Sequence, residues 1–168
     1  MFHAFDNTPP KRPMARAEWM ALLARAPQHL LDKALSGQVD HQPQWLRRPE
    51  TGLMMVQGRA GGSGERFNLG EITVTRCALR LHDASDLAPV GVSYVMGRNH
   101  RQAQLAAVAD ALLQDPAEYV KLETSLLFPL REHLQELQYR RHQLAQTTKV
   151  DFLTVAREAN SDDEEGVA

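Results

Sequence analysis

Three glycines within four positions, Gly61, Gly62 and Gly64, separate two strand-like runs, and this turn constrains the chain more than any other stretch. The window reads Gly52-Leu-Met-Met-Val-Gln-Gly-Arg-Ala-Gly-Gly-Ser-Gly-Glu-Arg-Phe67 and continues through Ile72 and Val74 to Arg80. Glycine takes positive φ without a Cβ penalty, so glycines at this density between two strands mark a chain reversal. Arg59 and Arg66 flank the turn, with Glu65 beside the second. Successive glycine N–H groups can cup an anion, and flanking arginines add charge-assisted hydrogen bonds. The lysine and hydroxyl of a phosphate-binding P-loop are missing, because Glu65-Arg66 follows the last glycine. A strand–turn–strand context also offers no helix N-terminus to an anion. Two readings stay open: a ligand contact through Arg59, Gly61, Gly62, Gly64 and Arg66, or a structural hairpin that serves as an interface loop.

At 168 residues the chain has the length of one compact domain, which buries roughly two-thirds of its unfolded surface without disulfide staples. A single cysteine, Cys77, excludes an intrachain bridge and a cysteine-based zinc site, and fits a reducing, cytoplasmic setting. No apolar run reaches signal-peptide length at the start or the ~20 residues of a membrane span elsewhere, so a soluble protein is expected. Residues 158–168 hold Glu158, Asp162, Asp163, Glu164 and Glu165 and no basic group. The rest therefore carries 19 positive and 16 negative charges, a net of +3, far below the basic field of a nucleic-acid binder. The expected organisation is a disordered, proline-containing lead-in over 1–14, one domain over 15–158, and an acidic disordered tail over 159–168.

Within residues 15–36, Trp19, Leu22, Leu23, Ala26, Leu30 and Ala34 recur at helical spacing, and Pro27 predicts two short helices or a kink. Gly37 is the expected stop. Gln44–Glu50 and Leu53–Gly58 read as strand, with Pro43 and Pro49 confining the first to an edge or an irregular region. From Phe67 to Leu81, Ile72, Val74, Arg76, Ala78 and Arg80 alternate with Thr73, Thr75, Cys77, Leu79 and Leu81. Neither face is cleanly apolar, which predicts a bulge near Arg76 or a strand covered on both sides. Val90–Arg98 supplies a third strand. Asn99 is a competent N-cap for a helix striped by Leu105, Val108, Leu112 and Leu113. Asp115-Pro116 opens another helix, Pro129 breaks it, and Leu130, Leu134, Leu137 and Leu144 line the last one. The expected fold is α+β, with a small three-stranded antiparallel meander, an N-terminal helical segment and two or three C-terminal helices. So small a sheet beside so much amphipathic helix predicts a partner that completes the core.

Arg76, Arg80 and Arg98 raise a second possibility. Pairing of the second and third strands would bring Arg98 toward Arg76 or Arg80, and like charges at that range require an anion or a carboxylate between them. Separate surface ion pairs, each worth ~0–1 kcal/mol, are the plainer alternative. The seven histidines form no HxH, HxxxH or HExxH spacing, so no metal site is expected from this chain alone. No serine lies in a nucleophile elbow, and Cys77, mid-strand, reads as a buried structural thiol. Glu65 is the one carboxylate in a glycine-rich setting that suits acid–base work, and pairing with an arginine is its commoner role.

Four blocks together resemble the PhnG family of the bacterial carbon–phosphorus lyase system. They are Glu50-Thr-Gly-Leu through Gln57-Gly-Arg-Ala-Gly-Gly-Ser-Gly-Glu-Arg-Phe67, Gly70-Glu-Ile-Thr-Val-Thr-Arg76, Gly91-Val-Ser-Tyr-Val-Met-Gly-Arg98, and Lys149-Val-Asp-Phe-Leu-Thr-Val-Ala-Arg157. The resemblance spans residues 15–158. It implies a subunit that works with PhnI-, PhnH- and PhnJ-like partners and transiently with PhnL- or PhnK-like ATPases. The implied reaction of PhnI with PhnG, PhnH and PhnL attaches a phosphonate to ribose C1 of ATP and releases adenine, giving ribose 1-phosphonate 5-triphosphate. ATP is then a substrate of the complex, no cofactor is expected on this chain alone, and PhnI is the expected carrier of the chemistry. The chain lacks iron–sulfur cysteines and a P-loop, which excludes the radical and ATPase roles. The rival reading is a stand-alone binding or regulatory protein for a phosphorylated metabolite.

Overall fold

A computed structural model describes residues 13–36, 43–81 and 88–149. Gly37, the acidic tail and the apolar run 150–157 lie outside the described residues. The N-terminal segment forms two short helices, α1 (Arg16–Leu23) and α2 (Gln28–Ala34), parted at Pro27. That break resets the helical phase. In α2 and its C-cap, Leu31 and Leu35 become fully buried, while Leu30 and Ala34, expected to continue the stripe, are only partly covered. Met14, assigned by sequence to the lead-in, is buried, and its N–H donates to the Tyr119 hydroxyl at 2.8 Å.

Three antiparallel strands follow in the order β1 (Gln44–Arg59), β2 (Arg66–Arg80) and β3 (Gly91–Met96), the expected meander. β1 runs unbroken through Thr51 and Gly52 instead of forming two pieces. It is an edge strand, as Pro49 requires. The irregularity predicted in β2 near Arg76 lies in β1 instead. There Trp45, Arg47 and Glu50 pair with Leu79, Ala78 and Arg76, so β1 carries the extra residues. Pro49 cannot donate to a ladder, which favours placing the excess on its own strand. A further register shift between Val56 and Gln57 puts an extra residue into β2, between Asn68 and Gly70.

The described helices pack against one face of this sheet. Thr75, Cys77 and Leu79 of β2 and Gly91, Ser93 and Val95 of β3 face the core, while Tyr94 and Met96 stand in solvent. The buried face of β3 is thus its small-residue face. A Cβ on Gly91 would lie 2.0 Å from the Ala107 carbonyl and 2.8 Å from the Ala111 Cβ. No larger residue fits beneath α3 (His100–Leu113). The side chain of Asn99 caps α3 by accepting from the Gln102 N–H at 3.0 Å. Ten of its fourteen residues are buried, so α3 is enclosed on nearly all sides and not merely along the predicted stripe.

Helix α4 (Pro116–Leu122) is capped by Asp115, whose side chain accepts from the Ala117 N–H at 2.9 Å. A π-type turn, Glu123–Leu127, joins it to α5 (Phe128–Thr147). Pro129 has no N–H to continue an α-ladder, and the wider turn just before it absorbs that loss. At the start of α5 Leu130 is buried, but Leu144 near its end is exposed, so this helix runs off the body.

One buried carboxylate joins the layers. Asp110 on α3 is 0% exposed. It accepts from Arg16 at 2.7 and 3.2 Å, from the Trp19 indole at 2.9 Å and from the Val92 N–H at 2.9 Å. Asp110→Ala leaves the indole and the Val92 amide without a partner, and is expected to destabilise the fold by about 3 kcal/mol or more. Urea unfolding monitored by the fluorescence of Trp19 and Trp45 reads the difference. A loss below about 1 kcal/mol contradicts this role.

Candidate functional site

The glycine turn is shaped by its backbone. Gly61 and Gly62 have φ of 59° and 80°, the left-handed region that their lack of Cβ allows. The Gly64 N–H donates to the Ala60 carbonyl at 2.9 Å, and a Cβ on Gly64 would lie 2.8 Å from that same oxygen. Arg59 closes the loop by donating to the Gly64 carbonyl at 3.1 Å. Each glycine therefore has a structural reason to be there. Arg59 and Arg66 are directly opposed cross-strand partners. Neither Arg66 nor Glu65 forms an ion pair with any other described residue.

This tip crowns an arm that leaves the helices behind. β3 pairs with β2 only from Val74 to Leu79, so the outer parts of β1 and β2 form a two-stranded ribbon. Leu53, Met54, Met55, Phe67 and Leu69 are all exposed there, Leu53 by 67% and Leu69 by 62%. Apolar side chains stand on both faces of the ribbon, because Leu53 and Met54 are neighbours on a pleated strand.

The candidate arginines do not converge. Arg76 donates to Glu50 at 2.7 Å, and Glu50 also accepts from Arg47 at 2.6 Å. Tyr94, not Arg98, stands opposite Arg76, because Met96 pairs with Val74. β3 ends at Met96, so Arg98 lies beyond the ladder and pairs with neither Arg76 nor Arg80. The expected clash of Arg98 with Arg76 or Arg80 does not arise. Arg66 lies ten residues from Arg76 along the same strand, roughly 33 Å. The structure thus has a cationic tip and a separate Arg47–Glu50–Arg76 network on the outward sheet face. No single anion spans them.

Hydrogen bonds from Arg76 first and then Arg47 hold the Glu50 carboxyl below its usual range. Cys77 is buried, and desolvation pushes its thiol up to about 11, so it is inert as a nucleophile at neutral pH. A cleft of about 230 Å³ between α1 and β3, lined by Met20, Ala24, Val92 and Tyr94, is smaller than the ~300 Å³ of typical small-molecule sites.

His100 was not among the sequence candidates. The buried Thr75 hydroxyl donates to the Gly97 carbonyl at 2.7 Å and thus accepts from Thr51 at 3.1 Å. Thr51 in turn accepts from His100 Nε2 at 2.9 Å, which places a proton on Nε2. The chain of bonds ties the base of the arm to the start of α3. The partners lie 24 and 49 residues apart, beyond any local motif. His29 and His133, also distant in sequence, meet edge-on with ring centroids 6.2 Å apart.

These features define a small α+β protein whose distinctive motif lies on an exposed apolar arm and not in a closed pocket. The chain belongs to the PhnG family of phosphonate metabolism proteins, whose family model matches residues 14–158. It is similar to a protein of Rhizobium meliloti (strain 1021) named alpha-D-ribose 1-methylphosphonate 5-triphosphate synthase subunit PhnG. The two are 39% identical over 144 residues, which cover 84% of this chain and 88% of the relative.

The Glu50 network gives a pH prediction. Its pKa is depressed in the folded state, so its contribution is present at neutral pH and is lost as pH falls through the folded-state value. Arg76→Ala is expected to move the Glu50 titration midpoint upward in a carbon-detected NMR titration. An unmoved midpoint shows that Arg76 is not the principal cause.

Proposed function

We propose that this chain is a non-catalytic assembly subunit of a phosphonate ribosyl triphosphate synthase. It acts with PhnI-, PhnH- and PhnJ-like subunits, and transiently with PhnL- or PhnK-like ATPases, in the cytoplasm. The complex joins a phosphonate oxygen to ribose C1 of ATP as adenine departs, and ATP is its substrate. The observation that carries this reading is the placement of the glycine motif on an arm whose apolar side chains are exposed and which, among the described residues, has no acid–base pair of its own. Glu65 stands alone at the tip, without the second group that acid–base catalysis needs. A catalytic apparatus supplied by another chain meets that requirement.

The arm then has two tasks. Its stem packs against a neighbouring subunit, and its tip brings Arg59, Arg66 and the glycine backbone to the boundary of a phosphate-rich site. Arg59 is held by the Gly64 carbonyl, so Arg66 is the freer group to meet a phosphate. A charge-assisted contact of this type contributes about 1.5 kcal/mol, roughly tenfold in affinity.

Co-expression with the other synthase subunits, followed by size-exclusion chromatography, tests the assembly role. The chain is expected to elute with them as one complex, and elution alone overturns the reading. Within that complex Arg66→Ala is expected to leave elution unchanged and weaken ATP binding by about tenfold. Unchanged ATP affinity removes Arg66 from the phosphate site, and loss of assembly assigns the tip a purely scaffolding role.

A further inference from the structure

Edge strands carry unpaired N–H and C=O groups, and soluble proteins guard them with charge, proline or bulges. The three free edges of this sheet are guarded unequally. The edge of β3 is six residues long and borders α1 across the shallow cleft. The outer part of β2 carries Arg66 and Glu71 and is bent by the extra residue between Asn68 and Gly70. On β1, Arg47, Arg48, Pro49 and Glu50 guard one end and Arg59 the other. Between them Thr51–Gly58 holds eight residues with no charge and no proline. Among the described residues no strand and no backbone hydrogen bond occupies the outer side of this window.

We infer that the free edge of β1 from Thr51 to Gly58 receives an extended apolar strand with acidic flanks from a different subunit, which adds a fourth strand to the sheet. This rests on the assembly role proposed above and specifies the surface that carries it out. Main-chain pairing at an unguarded edge supplies the affinity, and side chains alternating onto both faces supply the register. The apolar side chains of Leu53, Met54 and Met55 then gain neighbours on both faces at once.

Charge selects the occupant. Arg47, Arg48 and Arg76 outnumber Glu50 at one end of the window, and Arg59 and Arg66 outnumber Glu65 at the other. A second copy of this chain pairing antiparallel through the same window would set one copy's Arg59–Arg66 end against the other's Arg47–Arg48 end. Cation meets cation at both ends in that arrangement, whereas a strand flanked by carboxylates meets attraction at both.

Amide hydrogen exchange on the free chain and on the co-purified complex tests this. In an antiparallel strand alternate N–H groups point to the free edge. Those of residues 51–58 are expected to exchange at least about tenfold more slowly in the complex. A complex in which they exchange as in the free chain overturns the inference and leaves the assembly role standing. A free chain that is dimeric and already protects them assigns the edge to a second copy and also overturns it. Failure of the native chain to join any complex overturns both readings. As an independent check, Met54→Pro and Met55→Pro each remove one N–H, one from the β1–β2 ladder and one from the free edge. The free-edge variant is expected to keep the thermal midpoint of the isolated chain and lose assembly. Retained assembly in that variant contradicts strand addition.

Discussion

A carboxylate in the middle of the most buried helix holds this fold together. Asp110 gathers an arginine and an indole from α1 and a backbone amide from β3, so one side chain fixes helix on helix and helix on sheet. A buried carboxylate is stabilising only when its lone pairs are fully used, since its desolvation penalty amounts to several kcal/mol. Here four bonds meet the two oxygens, and Arg16, part-exposed, supplies the compensating charge. One turn before Asp110, and again one residue after it, α3 comes closest to the sheet, where Gly91 lies under Ala107 and Ala111. The polar tie and the close approach reinforce each other. A larger residue at position 91 would lift α3 and lengthen the bond from the Val92 amide.

Around this anchor the molecule divides into a packed body and an arm with no core. A two-stranded ribbon in water is marginal by itself, so the register of the arm is set at its two ends. At the base the ladder enters the three-stranded sheet and the Thr51–Thr75–His100 bonds. At the tip the Arg59–Gly64 contact and the left-handed Gly61–Gly62 pair close the turn. The exposed end of α5 repeats the theme on the helical side. Both projections carry apolar side chains that the body does not cover.

Local chemistry was legible in the sequence and long-range register was not. Pro27 announced the helix break, Asn99 and Asp115 their caps, Pro129 its irregular turn, and the glycines their reversal. Each of these rests on one residue's own backbone preferences. The phase of α2 after Pro27 was not legible, because a break fixes where a helix restarts and not which face it then buries. The strand over Val90–Arg98 was legible, but not which of its faces is buried. The close approach of α3 decides the matter by sterics and sends Tyr94 and Met96 outward. The arginines failed as a cluster for the same reason. Tyr94 stands opposite Arg76 and β3 ends at Met96, so Arg98 has no place beside Arg76.

The separation of those arginines gives the arm its logic. A strand that slips by one residue turns every side chain to the opposite face, so an uncharged edge needs something to hold its register. In the Thr51–Gly58 window the side chains on either face, Leu53 and Met55 on one and Met54 and Val56 on the other, are too alike to discriminate strongly. Charged groups at the two ends discriminate better, because a shift of one residue moves a partner's carboxylates by roughly 3.3 Å and to the wrong face at both ends together. That works only if the end-to-end distance is fixed. The bulges near Pro49 fix one end, and the closed glycine tip, which holds Arg59 to the Gly64 carbonyl, fixes the other. Under the proposed strand addition the glycines serve as a rigid terminus for the interface, and a phosphate that reached Arg66 would meet a group already positioned by docking.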